Sequence, residues 1–248
     1  MSAAVPVASV RERLARVTDP ELDRSIVDLE YVDEVRVADG TVTVALTLPT
    51  AWCSPAFAWM MAVDAREEVA ALDGVADVRV RLREHMHAEQ INAGVDDHRS
   101  FSEAFPDAED GVADVRATLD EKARLARQHA AVEELLDRGL TPAQVAALRP
   151  ADVDLDGRGD RAAVTVREGA LAVCVAAAPL ERYLRKARET LDIGSRDPLV
   201  RTPDGDPVTP EAFERVHRRA RLARVNMSGQ GGVCAALNDA RRAKLGRD

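Results

Sequence analysis

The stretch "DEVRVADGTVTVALTL", residues 33–48, restricts the fold more than any other part of this chain. Val42, Val44, Leu46 and Leu48 alternate with Thr41, Thr43 and Thr47, a period of two that describes a strand with one buried and one wetter face. Asp39-Gly40 interrupts the pattern with the residue pair that best tolerates the two positive φ angles of a type I′ turn. The run before it, "DEVRV", is therefore expected to return as an antiparallel neighbour.

A helix is expected directly after this hairpin. Ser54 suits an N-cap, Pro55 suits the first helical position, and Phe57, Met61, Ala65, Val69 and Leu72 recur on one face. Gly74 is the expected terminator. "VADVRVRL" alternates again, with Val78, Val80 and Leu82 inward, and "ASVRERLARV" at residues 8–17 has helical spacing. These elements predict an α/β fold whose first part is a small α-β-β-α-β domain over residues 1–84.

The pattern breaks down into polar loop from Glu84 to Asp110, and residues 85–118 read as a polar linker. Residues 119–248 read as a mainly helical extension with one hairpin around Glu168-Gly169. Its helices are expected over "ATLDEKARLARQHAAVEELLDRGL", over "TPAQVAAL" with Thr141 as cap, over "PLERYLRKARETL" and over "TPEAFERVHRRARLARV". The final segment, "SGQGGVCAALNDARRAKL", reads as a glycine-rich entry into a separate helix.

Charge and composition exclude several classes of function. The net charge of −9 opposes nucleic-acid binding, which needs an excess of Lys and Arg. No run approaches the ~20 apolar residues that span a bilayer, and "MSAAVPVASVRERLARV" lacks a signal peptide's apolar core. Three cysteines make no disulfide framework, so a reducing cytoplasm with free thiols is expected. The arginine-rich "ERVHRRARLARVN" reads as a solvated helix face or as a contact for an acidic partner.

The thiols carry the chemistry. Cys53 falls between the strand and the helix, where unpaired N–H groups and the helix dipole favour an anion. A thiolate there is expected to be stabilised as a nucleophile or metal ligand, although a small buried cysteine would fit the same spacing. Asp19, Glu21 and Asp28 lie in loops able to reach that end of the sheet. Cys234, behind "SGQGG", repeats the helix-entry logic and is a candidate second thiol. Cys174 in "LAVCVAAA" is expected in the core. His85 and His87, with Glu84 and Glu89, could hold a divalent metal if the chain is extended there; an exposed polar loop is the favoured reading of the same residues. Asn92 and Gly94 suit a turn. His98 and His129 are expected on the surface, and His217 on the basic helix face.

"DPEL", "SIVDLEYVDEVRV", "GTVTVALTLPTAWCSP" and "VDAREEVAALDGVADVRVRL" resemble the bacterial metal–sulfur cluster assembly factor family of the SufT and PaaD type. The family's corner reads Gly-Cys-Pro where this chain has Trp52-Cys53-Ser54-Pro55. The resemblance implies a maturation factor for iron–sulfur proteins and no enzyme activity of its own. It further implies a functional Cys53 with Asp19 and Asp28 in support, and iron or an iron–sulfur cluster as cargo. One thiol cannot hold a cluster, so sharing across a homodimer is the simplest arrangement. The His85–Gly94 loop and the terminal "RARLARVNMSGQGGVCAAL" resemble a longer subgroup found beside bacterial di-iron monooxygenases, which implies such a subunit as client. A metal-free docking module is the alternative. "GLTPAQVAALRPADVDLDG" is similar to the start of a tyrosine recombinase catalytic domain, but that chemistry needs a late tyrosine, and the chain has only Tyr31 and Tyr183. No phosphate loop, G-x-S-x-G elbow or H-E-x-x-H helix is present.

Overall fold

Alternation and turn chemistry set the first sheet. In the computed structural model, which describes residues 5–108, 111–155, 159–166 and 169–244, strand β3 (Val32–Ala38) pairs antiparallel with β4 (Thr41–Thr47). Asp39 and Gly40 both take positive φ, as the tight hairpin requires. Helix α2 (Pro55–Ala70) carries the chain across to β5 (Asp77–Arg83), which lies parallel to β4, giving the order β3-β4-β5. Helix α1 (Val7–Leu14) precedes a two-residue ladder, β1 (Thr18–Asp19) with β2 (Arg24–Ser25).

Val42, Val44, Leu46, Val78, Val80 and Leu82 are buried from the sheet, against Met61, Ala65 and Val69 of α2. The expected inward face is thus the observed one. Thr47 departs from its expected outward position: it is buried, its hydroxyl donates to the Asp33 carboxylate, and its N–H donates to the Tyr31 carbonyl. Ser54 sits at the N-cap of α2 but makes no side-chain capping bond, and the helix ends before Gly74, which serves the following turn instead.

The expected linker contains structure. Helix α3 (Ala88–Asp96) and the single turn α4 (Phe101–Ala104) pack against the first core through Ile91, Val95 and Ala104. Asn92 belongs to α3, not to a turn. Its carboxamide accepts from the Leu82 N–H (2.8 Å) and donates to the Leu82 carbonyl (3.1 Å), serving the edge of β5 as a neighbouring strand would.

The chain divides into two units. The first comprises residues 1–117 with 228–248, the second residues 118–227. The boundaries fall inside α5 (Val112–Asp137) and α8 (Phe213–Lys244), so the tail belongs to the first unit and not to a continuous 119–248 extension.

In the second unit, β6 (Val153–Asp154), β7 (Arg161–Val166) and β8 (Leu171–Ala176) form an antiparallel sheet, and β7–β8 is the expected hairpin. Glu168 of its turn lies outside the described residues, whereas Gly169 takes the positive φ. Helices α6 (Pro142–Ala147) and α7 (Ala177–Leu191) complete the unit. Thr141 caps α6 through a reciprocal bond pair with Gln144, as expected. Cys174 is exposed, contrary to expectation, because the alternation of β8 turns Val175 inward. Gln128 exchanges backbone bonds with Arg201 at 2.9 and 3.0 Å and accepts from the Tyr183 hydroxyl at 2.8 Å. That buried tyrosine is consumed by the core, which leaves no recombinase-type nucleophile there.

His129 is 6% exposed, which corrects its expected surface position. Burial first, then the charges of His217, Arg224 and Arg221, push its imidazole down to about 4 against the opposing pull of Glu133. The folded chain thus refuses a proton that the unfolded chain accepts below 6.5. Its contribution to stability is complete above that value and is lost as pH falls toward 4. Urea titrations of wild type and His129→Gln across this window should show the wild type losing stability faster with falling pH.

Candidate functional site: the cysteine corner

Cys53 occupies the residue before the N-cap of α2 because Pro55 fixes the start of the helix, after the loop that leaves β4 at Thr47. A short turn, Cys53 N–H to the Thr50 carbonyl at 3.5 Å, closes the corner, and the Cys53 sulfur lies 3.2 Å from the Thr50 hydroxyl. The side chain is half-buried against the first core. With no side-chain acceptor from Ser54, the opening amides of α2 stay free for an anion at this end.

His85 braces the corner. Its Nε2–H donates to the Cys53 carbonyl at 2.9 Å, and its Nδ1 accepts from the His87 N–H at 3.2 Å. Both nitrogens are spent, so this histidine is a support for the corner rather than an open metal ligand. His87 lies on the rim, its ring 6.1 Å from that of His85 and within 3.4 Å of the Gln90 carboxamide. Among the described residues neither histidine joins a group of three side chains at metal-binding spacing.

The buried Asp19 is locked by its own turn: Oδ1 accepts from the N–H groups of Glu21 (2.9 Å) and Leu22 (3.1 Å). Burial raises its carboxyl above the ordinary value in spite of those bonds. Tyr31, 1% exposed, places its hydroxyl beside Asp19 without completing a hydrogen bond of normal geometry. Burial, followed by the charges of Asp19, Cys234 and Cys53, raises this phenol far above its usual range. A buried hydroxyl without a partner costs about 1–3 kcal/mol. Tyr31→Phe should therefore raise the chemical-denaturation midpoint.

Cys234 arrives from far along the sequence. The tail of α8 is held to the first unit by Asn238 donating to the Leu29 carbonyl (2.9 Å), Gln230 to Glu21 (2.9 Å) and Arg242 to Glu30 (2.8 Å). Cys234 was expected at a helix entry. Instead α8 runs unbroken through "SGQGG", so the thiol sits mid-helix with no free amides around it. Three glycines at ~1 kcal/mol each do not outweigh the strong helix formers flanking them and the tail's anchoring bonds. Burial, then the charges of Asp19, Glu21 and Cys53, push the Cys234 thiol up. Cys234 shares a cleft with Tyr31, Asp28, Asn238 and Asp239, in which Asp28 is an exposed rim residue. The structure thus groups Cys53, Cys234, Asp19 and Tyr31 in one electrostatic neighbourhood, with Asp28 at its edge. Among the described residues they do not form a closed coordination set of three.

Beside the thiol, Trp52 (74% exposed) and Met86 (70% exposed) stand on strands of chain joined by the Met86 N–H to the Ala51 carbonyl at 2.8 Å. Sequence reasoning missed two features. The orphaned Tyr31 hydroxyl depends on tertiary burial and leaves no local signal. The second is a cluster in the other unit, His129, Glu133 and His217, signalled only by the four-residue spacing of the first two.

Residues 8–82 match the family model described as iron-sulfur cluster assembly protein. The uncharacterized protein MJ1129 of Methanocaldococcus jannaschii is 36% identical over 84 residues, which cover 34% of this chain and 86% of that protein. No solved structure matches the chain. The matched segment holds the whole α-β-β-α-β frame together with Asp19, Asp28, Tyr31 and the Cys53 corner, and by this match the chain belongs to the iron–sulfur cluster assembly protein family.

Proposed function

We propose that this protein carries iron or an iron–sulfur cluster to a client metalloprotein, with the Cys53 thiolate as the principal ligand. The observation that carries the reading is the half-buried Cys53 sulfur at the uncapped start of α2, in one neighbourhood with Cys234 and Asp19. Thiolate and carboxylate donors suit iron.

Within this reading Cys53 and Cys234 bind, and Asp19 and the rim carboxylate of Asp28 support. Tyr31 and the His85 brace hold the corner in shape. Two copies would supply four thiolates, so a homodimer completes a cluster without further ligands. The client is a di-iron monooxygenase subunit in the cytoplasm, a reading supported by the resemblance of the His85–Gly94 and C-terminal segments to chains found beside such enzymes. No helix among the described residues is long and apolar enough to cross a membrane. The protein acts as a carrier and catalyses no reaction of its own.

Anaerobic reconstitution of the full chain with ferrous iron and sulfide tests this. Wild type should retain iron with visible absorption after desalting, and Cys53→Ser should lose most of it while melting at a similar temperature. Equal loading of the two proteins would overturn the reading.

A metal-free docking module is favoured by one observation, the exposed Trp52 and Met86 pair beside the corner. A client retained by Cys53→Ser but lost by Trp52→Ala would support it over the carrier.

A further inference from the structure

Helix α5 presents His129 and Glu133 four residues apart, on one face, and α8 brings His217 against them inside the second unit. The ligand atoms of the three side chains all lie within 4.8 Å of one another. His217 Nε2 is 2.8 Å from a Glu133 oxygen, and the rings of His129 and His217 stack with centroids 4.6 Å apart at 3°. Phe213 lies nearly parallel to His217, its ring 5.8 Å away.

Structural histidines usually spend both nitrogens on hydrogen bonds, as His85 does. His217 does not: with Nε2–H donated to Glu133, its buried Nδ1 has no partner. Because Nδ1 is unoccupied it can take the ring proton, which leaves Nε2 of His217, a Glu133 oxygen and a ring nitrogen of His129 as the donor set of a two-histidine, one-carboxylate site. His129 contributes a ring that is buried, 6% exposed.

We propose that one imidazole nitrogen from each of His129 and His217, together with a carboxylate oxygen of Glu133, binds a divalent first-row transition ion. The three protein donors leave the remaining positions to water. Glu133 is the most accessible of the three and forms the entry side. Arg224, whose guanidinium lies 3.4 Å from His129 Nδ1, competes with the cation by charge and by occupying that lone pair. The site shares no residue with the cysteine corner and stands or falls separately from it.

The test uses the full chain with Cys53, Cys174 and Cys234 replaced by serine, so that thiol binding cannot contribute. Zn²⁺ affinity is measured against a chromophoric chelator, and Co²⁺ is used to read visible ligand-field bands. The parent should bind one Zn²⁺ and give Co²⁺ bands of a low-coordinate nitrogen–oxygen site. His217→Ala and Glu133→Gln should each weaken Zn²⁺ by more than about tenfold, a scale that even outer-shell changes reach. Arg224→Gln should tighten it. Glu133→Gln, at a half-exposed position, keeps the test valid where His217→Ala fails to fold. No Zn²⁺ bound by the parent, or unchanged affinity in both ligand variants, would overturn the proposal. An Arg224→Gln protein that binds more weakly would overturn the competing role of the arginine.

Discussion

A chain carrying Cys53→Ser with Cys234→Ser is expected to emerge from anaerobic reconstitution with neither iron nor sulfide above the level of a mock-treated control. The effect should exceed that of either single change. Cys53 lies just before the uncapped start of α2, whereas Cys234 sits mid-helix with its thiol pushed up by burial and by the acidic neighbours. A proton therefore competes for Cys234 more strongly than a lone free cysteine would allow, and Cys234 should serve as the weaker, second ligand. Iron bound at Cys53 relieves only the last of the causes that raise Cys234, leaving burial and the charges of Asp19 and Glu21 in place. Cys234→Ser alone should then load partly and release faster to a chelator, while Cys53→Ser should load least. If two copies share one [2Fe–2S] centre, the loaded wild type should carry about one iron per chain and double in mass, since such centres usually take four cysteines. Iron and sulfide assays combined with light scattering decide this. Full loading of the double variant would remove the thiols from the mechanism altogether.

The path from sequence to this corner was short where the determinants are local. The threonine–valine alternation of β4, the Asp39-Gly40 turn and Pro55 each act over a few residues, and the elements they imply are observed. The failures share a different cause. Only Ile91 and Val95 mark the buried face of α3, with Gly94 in between, too few positions for a helical period to stand out. Cys234 was placed at a helix start because the glycines of "SGQGG" argue locally for a break, and bonds to Leu29, Glu21 and Glu30, all distant in sequence, hold the tail instead. Arg127 and Gln128, the neighbours of His129, look locally like a solvated face. In fact Arg127 donates to the Arg182 carbonyl and Gln128 pairs with Arg201, bonds more than fifty residues long in sequence. Burial of polar side chains by remote partners has no period to detect.

Trp59→Ala should be the most damaging single change to the first unit, by about 3–5 kcal/mol, the usual range for a buried aromatic cut to alanine. Trp59 is almost fully buried on α2 and meets Phe101 and Phe105 edge-on, with centroids at 5.8 and 6.2 Å. It therefore fastens α3 and α4 to the domain whose corner carries Cys53. Gly94 belongs to the same contact: a Cβ built there would stand 2.6 Å from the indole, an approach real side chains do not make. Gly94→Ala in the wild-type background forces the ring to move and should cost about 1–3 kcal/mol. Combined with Trp59→Leu the same alanine meets no indole, and its intrinsic helix preference over glycine, about 1 kcal/mol, should reappear as a gain. Denaturant melts of the four proteins give the coupling directly. Additive losses would show that Gly94 is retained for some reason other than the indole. A second readout follows from the chain path, because α3 is entered through His85 and His87. Loosening it should free the His85 bond to the Cys53 carbonyl. Trp59→Leu should accordingly alkylate faster at Cys53 than wild type under conditions where both remain folded.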